Sequence, residues 1–296
     1  MQLSDVTWLH VEASSRCNAW CLACPRNKNG FGLADGVVEA ELSLDKLQEV
    51  LDELPNLELI QFCGNLGDPI TAIKLLDMIR MSIDSGVKYF QIHTNGSARN
   101  VEWWTELGAL LYGRRSEVIF GIDGSEETNH IYRQATSWNK IMENAKAFIA
   151  AGGMAVWQFI PFKHNEHEED MLRALSEEMG FTDFVVYANA RIKPNPGRHW
   201  KTGEEVIFAP AKERKQKWER KQEWERKPNA HIELADCMHL NLPSLYLNSL
   251  GKVSPCCYLA NSVQYTGITD FLDVDMTEEV TSHPSLACLS NCGKEK

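Results

Sequence analysis

Cys17, Cys21 and Cys24 stand in the run SSRCNAWCLACPRN with the spacing C-x3-C-x2-C. Thiolates are soft ligands, suited to zinc or to iron–sulfur clusters. No fourth cysteine is near, and a structural zinc site is normally closed by four ligands. A cubane cluster held by three cysteines keeps one iron without a protein ligand, and that iron can bind and orient a small molecule. His10 is another possible ligand, but it falls inside a predicted strand, where a packed or hydrogen-bonded histidine is the plainer reading.

Three further stretches place polar or glycine-rich residues directly after a predicted strand. In CGNLGDP, Gly64 and Gly67 let backbone approach a ligand closely, and Asp68 offers a carboxylate; Gly-Asp-Pro is also an ordinary turn. Cys63, just before it, is expected to be a buried thiol. Thr94 and Asn95 end the next strand in TNG, a sequence that also makes a simple turn. Asp123, in FGIDGSEE, can accept hydrogen bonds from a ligand or cap a helix, and Arg133 can pair with a ligand carboxylate or a surface acid. Gln158, Asn165 and His167, in and just beyond the fifth strand, are weaker candidates for ligand contact. His164, His167 and Arg198 are candidate bases by loop position only, and no general base is singled out.

The tail has a second thiol group. Cys237 is followed by thirteen residues, Gly251, four residues and Cys256; Cys257, Cys288 and Cys292 follow. A hairpin turning near NSLG would bring Cys237 and Cys256 together, and Cys288 and Cys292 would close a four-cysteine site. Either Cys256 or Cys257 is the ligand there. Four thiolates suit zinc and iron–sulfur equally.

CNAWCLAC resembles the cluster motif of the radical S-adenosylmethionine (SAM) enzymes, with its cysteine spacing matched in full, and the chain resembles that family over nearly its whole length. The resemblance implies that Cys17, Cys21 and Cys24 hold a [4Fe–4S] cluster whose vacant iron chelates SAM. It implies reductive cleavage of SAM to a 5'-deoxyadenosyl radical that abstracts a substrate hydrogen, with electrons from a partner such as flavodoxin or ferredoxin. Trp20 departs mildly from the family pattern. CGNLGDP is similar to the family's glycine-rich loop that holds the SAM amino group, with Gly64 and Gly67 at the close approaches and Asp68 where a glutamate is usual. Thr94, Asn95, Asp123 and Arg133 complete the implied SAM site, Asp123 on the ribose and Arg133 on the carboxylate. CMHLNLPSLYLNSLGKVSPC resembles the opening of the SPASM and twitch extensions. The shorter twitch-like form, with one auxiliary [4Fe–4S] cluster on Cys237, Cys256, Cys288 and Cys292, fits the cysteine number. That cluster would accept an electron or support the fold. The substrate class stays open between a small molecule and a peptide. The alternative is a non-enzymatic binding protein stabilised by zinc at both cysteine groups.

Elements must position these residues. TWLHVEA, LELIQFC, VKYFQIHT, EVIFGID, MAVWQFI and TDFVVYA read as six strands. Between them, LSLDKLQEVLDEL, ITAIKLLDMIRMSIDSG, NVEWWTELGALL, SWNKIMENAKAFIAAGG and EHEEDMLRALSEEMG carry apolar residues at helical spacing, with Gly86 a predicted stop. The repeat predicts parallel βα units and an α/β fold. With the resemblance, this becomes a partial (β/α)6 TIM-like barrel with a small cysteine-rich C-terminal extension. The polar loops should then lie at the carboxyl ends of the strands, where ligands gather. The expected divisions are a core at 1–200, a charged linker or helix at 201–230 and the auxiliary unit at 231–296. RIKPNPGRHW, at 191–200, reads as a loop. Residues 212–227 carry eight basic and four acidic side chains, which suits an exposed helix or contact with an acidic or phosphorylated partner.

Composition sets the outer bounds. The 296 residues, 44% of them hydrophobic, suffice for one large core. The net charge of -11 argues against nucleic-acid binding through bulk charge. No apolar run is long enough to span a membrane and no signal peptide is recognised, so a cytoplasmic location is expected. Nine cysteines, all but Cys63 in two groups, point in a reducing compartment to metal rather than disulfides. The chain starts at its first strand, so no leader-binding domain is expected before the core. Neither G-x-G-x-x-G nor a P-loop occurs, which disfavours a dinucleotide or ATP role.

Overall fold

The computed structural model describes residues 2–187, 195–209, 211, 244–257, 265–266 and 268. The six expected strands form as β1 (Trp8–Val11), β2 (Leu59–Phe62), β3 (Tyr89–Thr94), β4 (Arg115–Gly121), β5 (Ala155–Phe159) and β6 (Asp183–Val186). They lie side by side in chain order and all pair in parallel. The five expected helices are present as α1 (Leu44–Asp52), α2 (Leu75–Asp84), α3 (Val101–Leu111), α5 (Trp138–Ala150) and α6 (Glu169–Met179), with a one-turn α4 (Asn129–Tyr132) after β4. The fold is α/β, a partial TIM-like barrel of six parallel strands joined, among the described residues, by five helical crossovers.

Local chemistry sets the helix ends. Ser43, Asn100 and Ser137 each accept the backbone N–H of the third residue on, so α1, α3 and α5 begin where a side-chain oxygen satisfies an orphan donor. α6 stops at Gly180, whose φ of 86° is a left-handed C-cap that other residues resist.

Strand alternation divides two environments. In β3, Phe90 and Ile92 are fully buried in the main core, whereas Tyr89, Gln91 and His93 face the other way and are partly buried. Phe62, Phe120, Trp157, Leu47, Ile79, Leu107, Phe148 and Leu172 belong to the same core, between sheet and helices. The opposite, inner face is more polar. The register places Tyr246, His10, Gln61, Gln91 and Glu117 in one row across five strands.

Two features depart from the expected boundaries. β9 (Ser244–Leu247) pairs in parallel with β1, and β10 (Val253–Ser254) pairs antiparallel with β9, so the hairpin expected near NSLG forms but joins the main sheet. Among the described residues the sheet has eight strands, in the order β10-β9-β1-β2-β3-β4-β5-β6. Leu245 and Leu247 on β9 are fully buried, and burial of both on the free side of β1 is the physical reason. Within 191–200, read as a loop, β7 (Asn195–Arg198) pairs antiparallel with β8 (Glu205–Phe208). Proline and glycine hid this strand, yet both are tolerated in a two-stranded ribbon where one edge lacks a partner. The charged stretch 212–227 lies outside the described residues, as do Cys237, Cys288 and Cys292.

Candidate functional site

Four strand-end loops meet around the first three cysteines, and hydrogen bonds tie them together. The loop after β1 carries Cys17, Cys21 and Cys24, each partly buried and none in a disulfide. Its backbone is strapped to the segment after β4 by Trp20 N to Gln134 O (2.9 Å) and Leu22 N to Tyr132 O (3.2 Å). Asp68 N donates to Arg16 O (2.8 Å), tying it to the loop after β2. Cys24 N donates to Cys21 O and the Asn27 amide to the same carbonyl, which holds Cys21 and Cys24 on one short turn. The Arg26 guanidinium is buried, lies 5.3 Å from the Trp20 ring centroid and donates to Ser15 O (3.1 Å) and to Glu39.

The glycine-rich loop is packed backbone to backbone. A Cβ on Gly67 would sit 1.9 Å from Ser14 O, and one on Gly64 would sit 2.5 Å from Gly67 O, so both positions exclude a side chain. Glu12, buried at the end of β1, holds the loop from below. Its Oε1 accepts Leu66 N (2.7 Å) and Gly67 N (3.2 Å), and its Oε2 accepts Tyr246 Oη (3.0 Å). Burial pushes the Glu12 carboxyl up, against these hydrogen bonds. Sequence reading passed over Glu12; an acid that ends the apolar-alternating strand TWLHVEA just before the cysteine loop was the available signal.

Asp68 is a hub. Its Oδ2 accepts both Asn95 N and Asn95 Nδ2 at 2.7 Å, and its Oδ1 accepts Ile70 N (3.2 Å). Burial raises its pKa, with the Asn95 bond opposing. Asn95 in turn reaches the cysteine loop, with Nδ2 at 3.6 Å from Cys17 Sγ and 3.0 Å from Asn18 Oδ1. Thr94 Oγ1 accepts Gly96 N and bonds Asp68. Thus Gly64, Gly67, Asp68, Thr94 and Asn95 are brought together beside Cys17.

Asp123 and Arg133 pair with each other. Arg133 Nε donates to Asp123 Oδ2 (2.6 Å), and Asp123 Oδ1 accepts Ile160 N (2.7 Å). The pair is buried, not a surface contact, with side-chain exposures of 14% and 0%. Burial works to lower the Arg133 pKa, but Asp123 and the Cys21 thiol outweigh it and raise it. Nη1 and Nη2 make none of the hydrogen bonds seen among the described residues, and the Arg133 charge acts on Cys21, Cys24 and Asp68. Gly121 makes room for it: a Cβ there would lie 2.3 Å from Arg133 Nη2.

The donor set suits an iron–sulfur cluster. Burial raises all three thiol pKa values, Cys21 to about 12, and repulsion adds to it for Cys17, from Cys21 and Cys24, and for Cys21, from Cys24. A cationic centre removes that penalty by binding the thiolates. Among the described residues no three His, Cys, Asp or Glu side chains gather to hold a single ion. Three thiolates on a cubane bind three different irons, so such gathering on one point is not what a cluster asks for. Leu22, Tyr132, Ile160, Phe162 and Phe208 form a small apolar cluster against Cys21, which limits water beside it.

The remaining candidates separate. His10 Nε2 bonds Cys63 O and its ring packs edge-on against Tyr246 at 4.8 Å, the packed role expected of a strand histidine. Cys63 is partly rather than fully buried. Asn165 is fully buried and structural, its amide donating to Asp123 O (2.7 Å) and Ile160 O (3.1 Å). His167 is exposed; His164 stacks on Phe162. Arg198 meets the site through its backbone, with Gln134 Nε2 donating to its carbonyl at 2.8 Å. Cys256 is buried within the main core, whereas Cys257 is partly buried and its carbonyl accepts Asn65 Nδ2 (2.9 Å) beside the glycine-rich loop. No helix among the described residues is long and apolar enough to cross a membrane.

No protein-family model and no curated protein sequence matches the chain. Its fold does match solved structures. One is hexahistidine-tagged anSMEcpe with bound AdoMet, at 16% identity and a TM-score of 0.62, covering 94% of this chain and 80% of that one. Another is Streptococcus suis SuiB bound to S-adenosylmethionine, at 14% identity and a TM-score of 0.58, covering 96% and 67%. A third is native anSMEcpe with bound AdoMet and Cp18Cys peptide, at 17% identity and a TM-score of 0.60, covering 97% and 87%. At these identities the likeness establishes a shared fold.

Proposed function

We propose that the chain is a radical SAM enzyme of the maturase type, acting on a peptide or small molecule. The observation that carries this reading is the meeting of four strand-end loops: three thiols, the Gly64–Asp68 turn, Asn95 and the buried Arg133 share one place and one hydrogen-bond network. When bound, a [4Fe–4S] cluster and SAM supply one-electron chemistry that generates a carbon radical able to remove a hydrogen atom from substrate. Cys17, Cys21 and Cys24 would hold the cluster. Arg133 would direct its two spare nitrogens at the SAM carboxylate while Asp123 fixes its orientation. Asp68 has both oxygens engaged with Asn95 and Ile70, so its part is to shape the turn, with backbone of Gly64–Gly67 left to meet the SAM amino group. The apolar cluster around Leu22 and Phe162 would keep water from the reacting centre. Fold neighbours solved with AdoMet, and with AdoMet and a peptide, support the reading.

Cys256 with Cys237, Cys288 and Cys292 is proposed to hold an auxiliary [4Fe–4S] cluster, flavodoxin or ferredoxin to supply electrons, and the cytoplasm to be the location. The test is anaerobic reconstitution with iron and sulfide, followed by SAM and a reductant. The expected result is about four irons lost in a Cys17→Ala, Cys21→Ala, Cys24→Ala variant, together with loss of 5'-deoxyadenosine formation. A protein that takes up zinc alone and leaves SAM intact supports the zinc-stabilised binding module instead.

A further inference from the structure

The inner face of the sheet holds a cavity of ≈ 430 Å³ that runs across β3, β4, β5 and β6 and has no residue of the cysteine loop in its lining. A volume of this size is that of a small-molecule pocket. Its polar groups come from strand positions that alternate with core residues: Gln91 and His93 on β3, Glu117 on β4, Gln158 on β5 and Asp183 on β6. Its apolar walls are Ile119, Val156 and Val185, with Met154 at the rim. Two carboxylates line it and no lysine or arginine does.

The two acids have spare capacity. Among the described residues, both hydrogen bonds that Glu117 accepts, from Tyr89 Oη (2.9 Å) and Gln91 Nε2 (3.3 Å), go to Oε2. Among the same residues, Asp183 accepts through Oδ1, from Phe184 N. Arg115 stands over the Tyr89 ring at 4.8 Å and makes no ion pair with Glu117 among the described residues. His93 adds no positive charge. Its Nε2 lies 3.0 Å from Gln61 Nε2 and 3.2 Å from Gln91 Oε1, it bonds Gln158, and burial lowers its pKa to about 4. The cavity is therefore negative, and its walls accept more hydrogen bonds than they donate.

Position links the cavity to the cysteine site. His93 lies two residues before Asn95 on the same side of the chain, about 7 Å along a strand, and Asn95 Nδ2 is 3.6 Å from Cys17 Sγ.

We propose that this cavity binds a cationic alkyl group of the substrate, an ammonium or guanidinium paired with Glu117 and Asp183 whose aliphatic stem lies on Ile119, Val156 and Val185. The inference rests on the proposed radical SAM reading only for what happens to the anchored molecule. The same chemistry arises from a lysine or arginine side chain of a peptide or from a free alkylamine.

The test is calorimetric titration of the full-length chain, before and after cluster reconstitution. The probes are 1,5-diaminopentane and N-acetyl-lysine methylamide, against N-acetyl-norleucine methylamide and glutarate as neutral and anionic controls. The two cationic probes should bind at least about tenfold more tightly than the controls, as expected for a charge-assisted pair. Preference for the lysine derivative identifies a peptide side chain, and preference for the diamine a free amine. Glu117→Gln and Asp183→Asn should each weaken the cationic probe severalfold at an unchanged urea midpoint, and Met154→Trp should block it from the rim. Equal or tighter binding of N-acetyl-norleucine methylamide or glutarate, binding of no probe, or full amine affinity in the Glu117→Gln, Asp183→Asn double variant overturns the proposal. SAM cleavage is followed in parallel. Cleavage without amine preference sinks the cavity assignment alone; amine preference without cleavage upholds it and sinks the radical SAM reading.

Discussion

Three buried ionisable side chains do work that their neighbours in sequence do not advertise. Glu12 satisfies two backbone donors of the glycine-rich turn with one oxygen. Glu12→Ala strands both, so we expect a loss of about 2–4 kcal/mol in urea unfolding, with Glu12→Gln recovering part of it. Arg133 neutralises Asp123, a carboxylate with no exposure. Arg133→Ala leaves that charge unpaired and should cost about 3–5 kcal/mol, whereas Arg133→Lys should keep most of the stability while weakening SAM binding, because an ammonium lacks the two-pronged geometry. His93 titrates well below an ordinary histidine because burial disfavours its charged form. A lowered folded-state value means that its stabilising contribution is present above about pH 6.5 and disappears as pH falls toward 4. By linkage, about 2 kcal/mol should be lost between pH 7 and pH 5 from this group. Urea midpoints at the two pH values check this: His93→Gln should reduce the difference, and an unchanged difference would remove His93 as its source.

Elements explain why some of this was legible and some was not. Six strands and five helices announced themselves through period-2 and helical spacing, and the caps at Ser43, Asn100, Ser137 and Gly180 used residues whose chemistry fixes a helix end. The hairpin at β9 was expected, but its pairing with β1 was hidden because SLYL, four buried residues with no alternation, does not show which strand lies beside it. β7 was hidden by its proline and glycine. The pairing of Asp123 with Arg133 needed the short α4 to bring the arginine back over β4, and a four-residue helix leaves almost no periodic signal. The inner-face residues were visible in principle, since YFQIHT alternates cleanly, but alternation alone does not separate a solvent-facing side from a barrel interior. Helix packing supplies a prediction of its own. A Cβ on Gly108 of α3 would lie 2.6 Å from Phe148 O on α5. Gly108→Ala should therefore force the two helices apart and lower stability by about 1–3 kcal/mol despite the better helix propensity of alanine, as thermal unfolding can report.

At the scale of the molecule, parallel strands aim four loops at one end of the sheet, which is why residues 17, 68, 95 and 133 meet although they are distant in sequence. The same alternation that packs one face against helices turns the other into a polar interior. One architecture thus offers a thiol site at the rim and an acidic cavity on the inner face. The claim on which this depends is that the three thiols leave one iron corner for SAM. Electron paramagnetic resonance of the reduced, reconstituted protein tests it most directly, using a Cys256→Ser, Cys257→Ser background to remove the signal proposed for the tail. The account predicts that adding SAM shifts the g-values of the remaining cluster and that Arg133→Ala raises the SAM concentration needed for the shift. A cluster signal indifferent to SAM at millimolar concentration would contradict it.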